Sequence, residues 1–254
     1  MSALPLAIQR TGLVTSVGLS APASCAAFRA KISNPSQTHF IDSRGEWIGA
    51  HEVPLDQPCR GLAKPARVPA VAIGEVLDGM PATQWCDVPL LLCVAEPQRP
   101  GRLQGVDDEL FERVEKELDA RFSPLSAIVP HGRVSVAVAL EQARRLMQEQ
   151  GVPQVVVAAA DSLLHWPTLS HYERADRLLT PLNSNGFMPG EGAGALLLGA
   201  ASDQPGEMLC TGIGFGVESA HIDSEEPLRA EGLAQAGRQA VADAGCQMHQ
   251  HDYR

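Results

Sequence analysis

The sequence predicts an α/β domain in which helices are layered on one mixed sheet, and three observations carry that reading. Leu90–Ala95, Pro153–Ala160, Gly194–Gly199 and Leu209–Val217 are continuous apolar runs of strand length. Such runs, apolar at every position, suit strands covered on both faces. Segments with apolar residues at helical spacing alternate with them, and no self-similarity appears at the periods of solenoid repeats.

Taken in order, Leu6–Thr11 reads as a strand, Val17 and Gly18 as a turn, and Ala21–Lys31 as a helix capped by Ser20. Short strands follow around Trp47–His51. Pro54–Arg67, rich in Pro, Gly and Arg, reads as a surface loop ahead of helical spacing at Ala70–Leu77. Leu90–Ala95 is expected inside the sheet. Asp107–Phe122 places Leu110, Val114 and Leu118 at four-residue steps with acids in its first turn, an amphipathic helix lying on that sheet.

Val134–Leu140 is apolar on every side, whereas Glu141–Gln150 turns polar, so this helix should begin buried and finish exposed. A three-layer sandwich encloses no helix on all sides; five layers do. Pro153–Ala160 is the next strand and Gly194–Gly199 the one after it. Leu209–Val217 is a strand containing Gly212, Gly214 and Gly216, and Glu231–Ala244 a last amphipathic helix stopped by Gly245.

Composition narrows the function. With 254 residues, 44% of them hydrophobic, the chain can bury a substantial core. Its 20 Lys and Arg against 30 Asp and Glu give a net charge of -10 with no basic block, which argues against a nucleic-acid partner. No apolar run approaches the roughly 20 residues that cross a bilayer. The N-terminus has no charged stretch followed by an apolar core, so no signal peptide is read and the expected location is cytoplasmic. Cys25, Cys59, Cys86, Cys93, Cys210 and Cys246 show no CxxC spacing, the pattern of reduced thiols. Cys246, His249 and His251 lie close together, but near a terminus without a second shell they read as tail, and no metal is expected.

Residues 185–198 read NGFMPGEGAGALLL, residues 155–162 VVVAAADS and residues 11–18 TGLVTSVG. In order and spacing these stretches resemble the β-ketoacyl synthases (3-oxoacyl-ACP synthases) of the thiolase-like superfamily. The resemblance runs from about residue 6 to residue 245. It implies the family's αβαβα sandwich with an incomplete second half: an N-terminal domain over residues 1–205 and the beginning of the C-terminal half over 206–254. It also implies that the chain stops well before such proteins end, and a chain closing on Tyr253 and Arg254 resembles the product of a trypsin-like cut.

Read physically, the GEGAG stretch is a structural corner. Gly190, Gly192 and Gly194 permit positive φ and close backbone approach, and Glu191 can accept from nearby backbone amides. The stretch has neither the Lys nor the Ser/Thr of a phosphate loop, and the glycines at 212–216 do not open a helix, so no nucleotide cofactor is expected.

The family's reaction, as the resemblance implies it, needs a cysteine at the start of the buried helix, where the helix dipole favours a thiolate. The matching residues 123–135 read SPLSAIVPHGRVS, without sulfur. One register puts Val129 and Pro130 at the nucleophile, another about Val134; no register between Asp119 and Gln142 supplies a thiol. The substitutes are His131 and Ser135, four apart on one helix face without a third group to orient the base. The plainer reading is that Pro130 starts the helix, His131 fills a polar end and Ser135 bonds to a carbonyl. Cys93, among Leu91, Leu92 and Val94, should be inert.

His165, Trp166, His171 and Tyr172 follow the AAADS strand, and Phe187 and Met188 precede the GEGAG turn. By resemblance they lie where the acyl entrance is lined; by pattern they are a loop whose aromatics cap the sheet, with Phe187 and Met188 packing or closing a pocket floor. The expected function is that of a degenerate, non-catalytic ketosynthase-like protein acting by binding. Family members without the standard site are non-catalytic partners of polyketide synthases or accessory proteins beside type VI secretion effectors. The partners so implied are a synthase subunit, an acyl carrier protein, a secretion cargo, or a second copy paired through the Pro153–Ala160 strand. The alternative is an acyltransferase of the 3-oxoacyl synthase type whose nucleophile is non-standard or supplied by a partner.

Overall fold

The structure is a computed structural model that describes residues 4–56, 59, 61–202, 204–222 and 224–252. The termini beyond these, including Tyr253 and Arg254, and parts of the 54–67 segment lie outside the described residues.

The apolar runs become strands. β1 (Leu6–Val14), β4 (Leu90–Cys93), β5 (Ala127–Val129), β6 (Gln154–Ser162), β7 (Glu191–Ala200) and β8 (Met208–Cys210) form a mixed sheet in the order β5-β4-β6-β7-β1-β8. β4 runs parallel to β5 and β6; β7 is antiparallel to β6 and β1. β2 (Ser36–Ile41) and β3 (Trp47–Ala50) form a separate hairpin.

Side chains alternate between two cores, as the pleat requires. Leu90, Leu92, Val156 and Ala158 face α2 (Ala63–Val76) and α3 (Leu110–Leu118), while Leu91, Cys93, Val155 and Val157 face α4 (Ser135–Gln150). Each buried Leu or Val contributes about 1.5–3 kcal/mol relative to exposure. That is why every residue of β4 is apolar.

α2 can lie on β1 because Gly12 has no side chain: a Cβ there would sit 2.2 Å from the Ala72 carbonyl oxygen. At the other end of this contact, the Glu75 carboxylate accepts from Leu13 N at 3.0 Å and from Ala21 N at 2.8 Å. One carboxylate thereby satisfies a helix-start donor of α1 (Ala21–Arg29), whose Ser20 cap accepts from Ala23 N as expected. α3 ends at Asp119, in the left-handed region at φ 48°.

The structure corrects several expectations. α2 begins at Ala63, inside the segment read as loop, because Pro65 falls in the first turn, where its missing N–H costs nothing. Pro69 is carried within the helix. Residues 166–174 form α5 rather than a loop, with Pro167 in the first turn. Only Met208–Cys210 of the 209–217 run pairs as a strand.

β6 has β4 on one side and β7 on the other, so it cannot pair with its twin; the sheet edge beyond β4 is β5. α4 is not enclosed where it begins. Ser135 and Ala139 are buried on the sheet, but Val134 is 57% exposed, and Val136, Val138 and Leu140 are only partly covered. The reason is that α4 is covered from one side. Opposite the sheet, the described residues bring only α6 (Glu231–Asp243) to it, through Arg144 Nη1 at 2.8 Å from Asp243 Oδ2.

The 211–220 segment runs without a strand partner, yet it is locked to α6. Cβ atoms on Gly212, Gly214 and Gly216 would lie 2.2, 2.0 and 2.0 Å from the carbonyl oxygens of Ala240, Ala236 and Gly232. Ile213 N donates to Asp243 and Phe215 N to Gln239, so helix side chains satisfy donors that a sheet neighbour would otherwise take. The three glycines serve a backbone contact.

Candidate functional site

The carboxyl ends of the parallel strands β4, β5 and β6 and the first residues of β7 share one edge of the sheet. Open α/β sheets place their ligands at such an edge. The turn that leads from β5 into α4 and a charged cleft both lie there.

The turn runs from Val129, 1% exposed, through Pro130 and His131 to Gly132 and a short 3-10 turn, and α4 starts at Ser135. Its apex is Gly132, at φ 56°. The Gly132 amide donates to the Val94 carbonyl at 3.0 Å, which sets the turn against the end of β4. A Cβ on Gly132 would stand 2.0 Å from Glu96 Oε2, so a carboxylate occupies the space above the apex.

Ser135 and His131 do meet, but through the backbone. The His131 amide donates to Ser135 Oγ at 2.9 Å, and Ser135 Oγ donates to the Val94 carbonyl at 3.3 Å. The His131 ring is exposed. Ser135 is 1% exposed, and its hydroxyl is committed to both bonds. Cys93 is buried on the α4 face, and burial pushes its thiol up to about 12, which leaves it a neutral S–H near pH 7.

The charged cleft lies between the sheet edge, α2, α3 and the start of α5, with about 600 Å³ of empty space. Its walls are apolar, among them Val68, Val94, Leu103, Val106 and Leu110. Its charged groups are paired. Lys64 Nζ lies 2.5 Å from Glu191 Oε1 and 2.7 Å from Glu52 Oε1. Arg99 bonds to Glu96 at 2.9 and 3.0 Å and to Asp161 at 2.9 Å; Arg102 holds Asp107 through two bonds of 2.6 Å. These bidentate pairs fix guanidinium planes as well as charge.

Glu191 is the hub. Its side chain is 3% exposed, and besides Lys64 it accepts from Val53 N and from Ser162 Oγ, both at 2.9 Å. Accepting from backbone amides is what the GEGAG pattern suggests. Gly190, Gly192 and Gly194 are not in the positive-φ region; Gly192 gives close approach, since a Cβ there would lie 2.9 Å from the Val14 carbonyl oxygen.

His165 lines the cleft. Burial holds its pKa below the usual imidazole value, so the ring is neutral near pH 7. Trp166 and Phe187 are not among the lining residues. Trp166 is 48% exposed and stacks on Phe40 of β2 with centroids 6.5 Å apart, and Phe187 meets Tyr172 edge-on at 5.3 Å. Met188 is partly buried in the stretch leading to β7.

Sequence reasoning missed Lys64, Arg99 and Arg102, because two prolines hid the start of α2 and the arginines lie in irregular chain after β4. The available signal was the scarcity of lysine: Lys64 is one of three. Among the described residues no group of three His, Cys, Asp or Glu side chains is placed to hold a metal ion, and no helix is long and apolar enough to cross a membrane.

Chemically, the turn offers a glycine facing a carboxylate, and the cleft offers cations already neutralised. A negative charge beside a thiol raises its pKa, the opposite of what an acyl-accepting sulfur needs.

No family model and no curated relative matches this sequence. Among solved structures, the chain is similar to the ishigamide ketosynthase/chain length factor, with a TM-score of 0.69 at 19% identity, covering 99% of this chain and 72% of that one. It is similar to a type II polyketide synthase complex of an acyl-carrier protein with its ketosynthase, at a TM-score of 0.71 and 15% identity over the same shares. It also resembles a ketosynthase in complex with its chain length factor from Xenorhabdus doucetiae, at 0.61 and 13%, covering 96% and 69%. What is shared at such identities is the three-dimensional arrangement: this chain has the thiolase-like fold of the ketosynthases.

Proposed function

We propose that this protein is a non-catalytic ketosynthase-like protein that works in the cytoplasm by binding a protein partner. One observation carries the reading: the turn from β5 into α4 has no sulfur and presents Gly132 beneath the Glu96 carboxylate. An intact scaffold does not replace a missing nucleophile. Ser135 does not stand in for it, since its hydroxyl is bonded to the His131 amide and the Val94 carbonyl.

Partnership is supported by the solved relatives, whose titles pair a ketosynthase with a chain length factor or with an acyl-carrier protein. A synthase-type subunit or a second copy has a sheet edge to meet at β5, beyond which no strand pairs among the described residues.

The test is incubation with a mass-tagged acyl thioester followed by intact mass and peptide mapping. The expected result is protein of unchanged mass. A stable adduct on the peptide that carries His131 or Ser135 makes the protein an acyltransferase and ends the non-catalytic reading.

A further inference from the structure

We infer that the surface carrying Val217, Ile222, Leu228 and Leu233 docks a protein segment that is both apolar and basic. The inference rests on the partner-binding reading above and names the chemistry of the partner. These four side chains are 90, 76, 78 and 73% exposed, the most exposed large hydrophobics of the described residues. Single exposed aliphatics are ordinary on protein surfaces, but four gathered within residues 217–233 mark an interaction site.

The backbone that displays them is held. Gly216 packs on the Gly232 carbonyl, and a Cβ on Gly232 would come within 2.6 Å of the Val217 carbonyl, so Val217 and Leu233 flank one tight contact. Glu218 Oε2 accepts from Gly232 N at 3.0 Å at the start of α6. Ala220 is 5% exposed, and Ser224 Oγ both accepts from the His221 amide and donates to the His221 carbonyl. Side chains on an anchored backbone lose less freedom on binding than those of a free loop.

Charge selects the occupant. Residues 217–233 contain five acidic residues and one arginine, and Glu225, Glu226 and Glu231 are exposed. This field, on a chain of net charge -10, repels acidic carrier proteins and anionic membranes and attracts Lys- and Arg-bearing surfaces. The apolar side chains supply burial; the acids supply attraction and selectivity.

The experiment uses the full chain and two fluorescent amphipathic peptides of one pattern, leucine with lysine and leucine with glutamate. The leucine–lysine peptide is expected to bind and to weaken as salt rises, and the leucine–glutamate peptide not to bind. Val217→Ser with Leu228→Ser, and separately Glu225→Lys with Glu226→Lys, are each expected to weaken binding about tenfold or more, with unchanged thermal unfolding, because all four side chains are exposed. Equal binding of both peptides, or binding that ignores the serine substitutions, overturns the proposal. So do attachment to phosphatidylserine vesicles, or a dimer dissolved by the same substitutions, which would make a membrane or a second copy the occupant. Acylation in the thioester experiment would sink the non-catalytic reading without touching this result, and lost peptide binding would leave unlabelled protein non-catalytic.

Discussion

Lys64 Nζ lies 2.5 Å from Glu191 Oε1, so one ion pair ties the first turn of α2 to the first residue of β7. Glu191 also holds Val53 N and Ser162 Oγ, which makes it the joint of four chain segments. Replacing Glu191 by Gln leaves the Lys64 ammonium, whose side chain is 18% exposed, with Glu52 alone. The expected cost is about 2–4 kcal/mol, read as a lower urea midpoint. An unchanged midpoint would show that Glu52 and water suffice.

Stability should fall at both ends of the pH scale, for opposite reasons. Burial works against the charged forms of Glu96 and Asp243, but hydrogen bonds from Arg99 to the former, and from Arg144 and Ile213 N to the latter, hold both below the usual carboxylate range. The Arg102 hydrogen bond does the same for Asp107, against burial. A carboxylate with a depressed folded pKa adds stability above its unfolded value of about 4, lost as pH falls through the folded one. For Lys64, burial opposes the charge, yet hydrogen bonds to Glu191 and Glu52 raise its pKa. That contribution is complete below about pH 10 and disappears as pH climbs through the raised value. Thermal melts from pH 2 to 12 should show both limbs, and Glu191→Gln should weaken the alkaline one.

Cys93 should resist alkylation. Its thiol is 1% exposed and pushed up to about 12 by burial, whereas Cys86 is exposed. Iodoacetamide on the native protein near pH 8 should modify Cys86 and spare Cys93, as read by peptide mass. Modification of Cys93 at a comparable rate would mean that β4 opens to solvent.

Gly214→Ala should detach α6 and leave the sheet. The new Cβ would meet the Ala236 carbonyl at 2.0 Å, a backbone atom that cannot rotate away. Hydrogen exchange should show amides of residues 231–243 losing protection while those of β6 keep theirs. Loss of protection throughout would show that α6 and the sheet unfold as one unit.

Much of this fold is legible in the sequence. β4, β6 and β7 are readable because strands covered on both faces must be apolar at every position, and α3 because a helix with one solvated face repeats its apolar residues every three to four positions. The start of α2 is not legible, since Pro65 and Pro69 look like loop residues until packing against β1 compensates them. The 209–217 run misleads for a related reason. Its glycines fit a strand pattern, but they serve the contact with α6, and a sheet partner is found only for Met208–Cys210.

The sequence by itself determined that residues 123–135 contain no sulfur, that one acidic corner precedes β7, and that helices and strands alternate. These are properties of composition and local period, which need no knowledge of distant neighbours. Only the tertiary structure decided that Lys64 meets Glu191, that Glu96 stands over Gly132, that β6 is shut in on both sides, and that α4 is open along part of its apolar face. Those facts depend on strand order and on which layers are present. Strand order is set by how the whole chain buries its apolar surface, and no short window of residues records it.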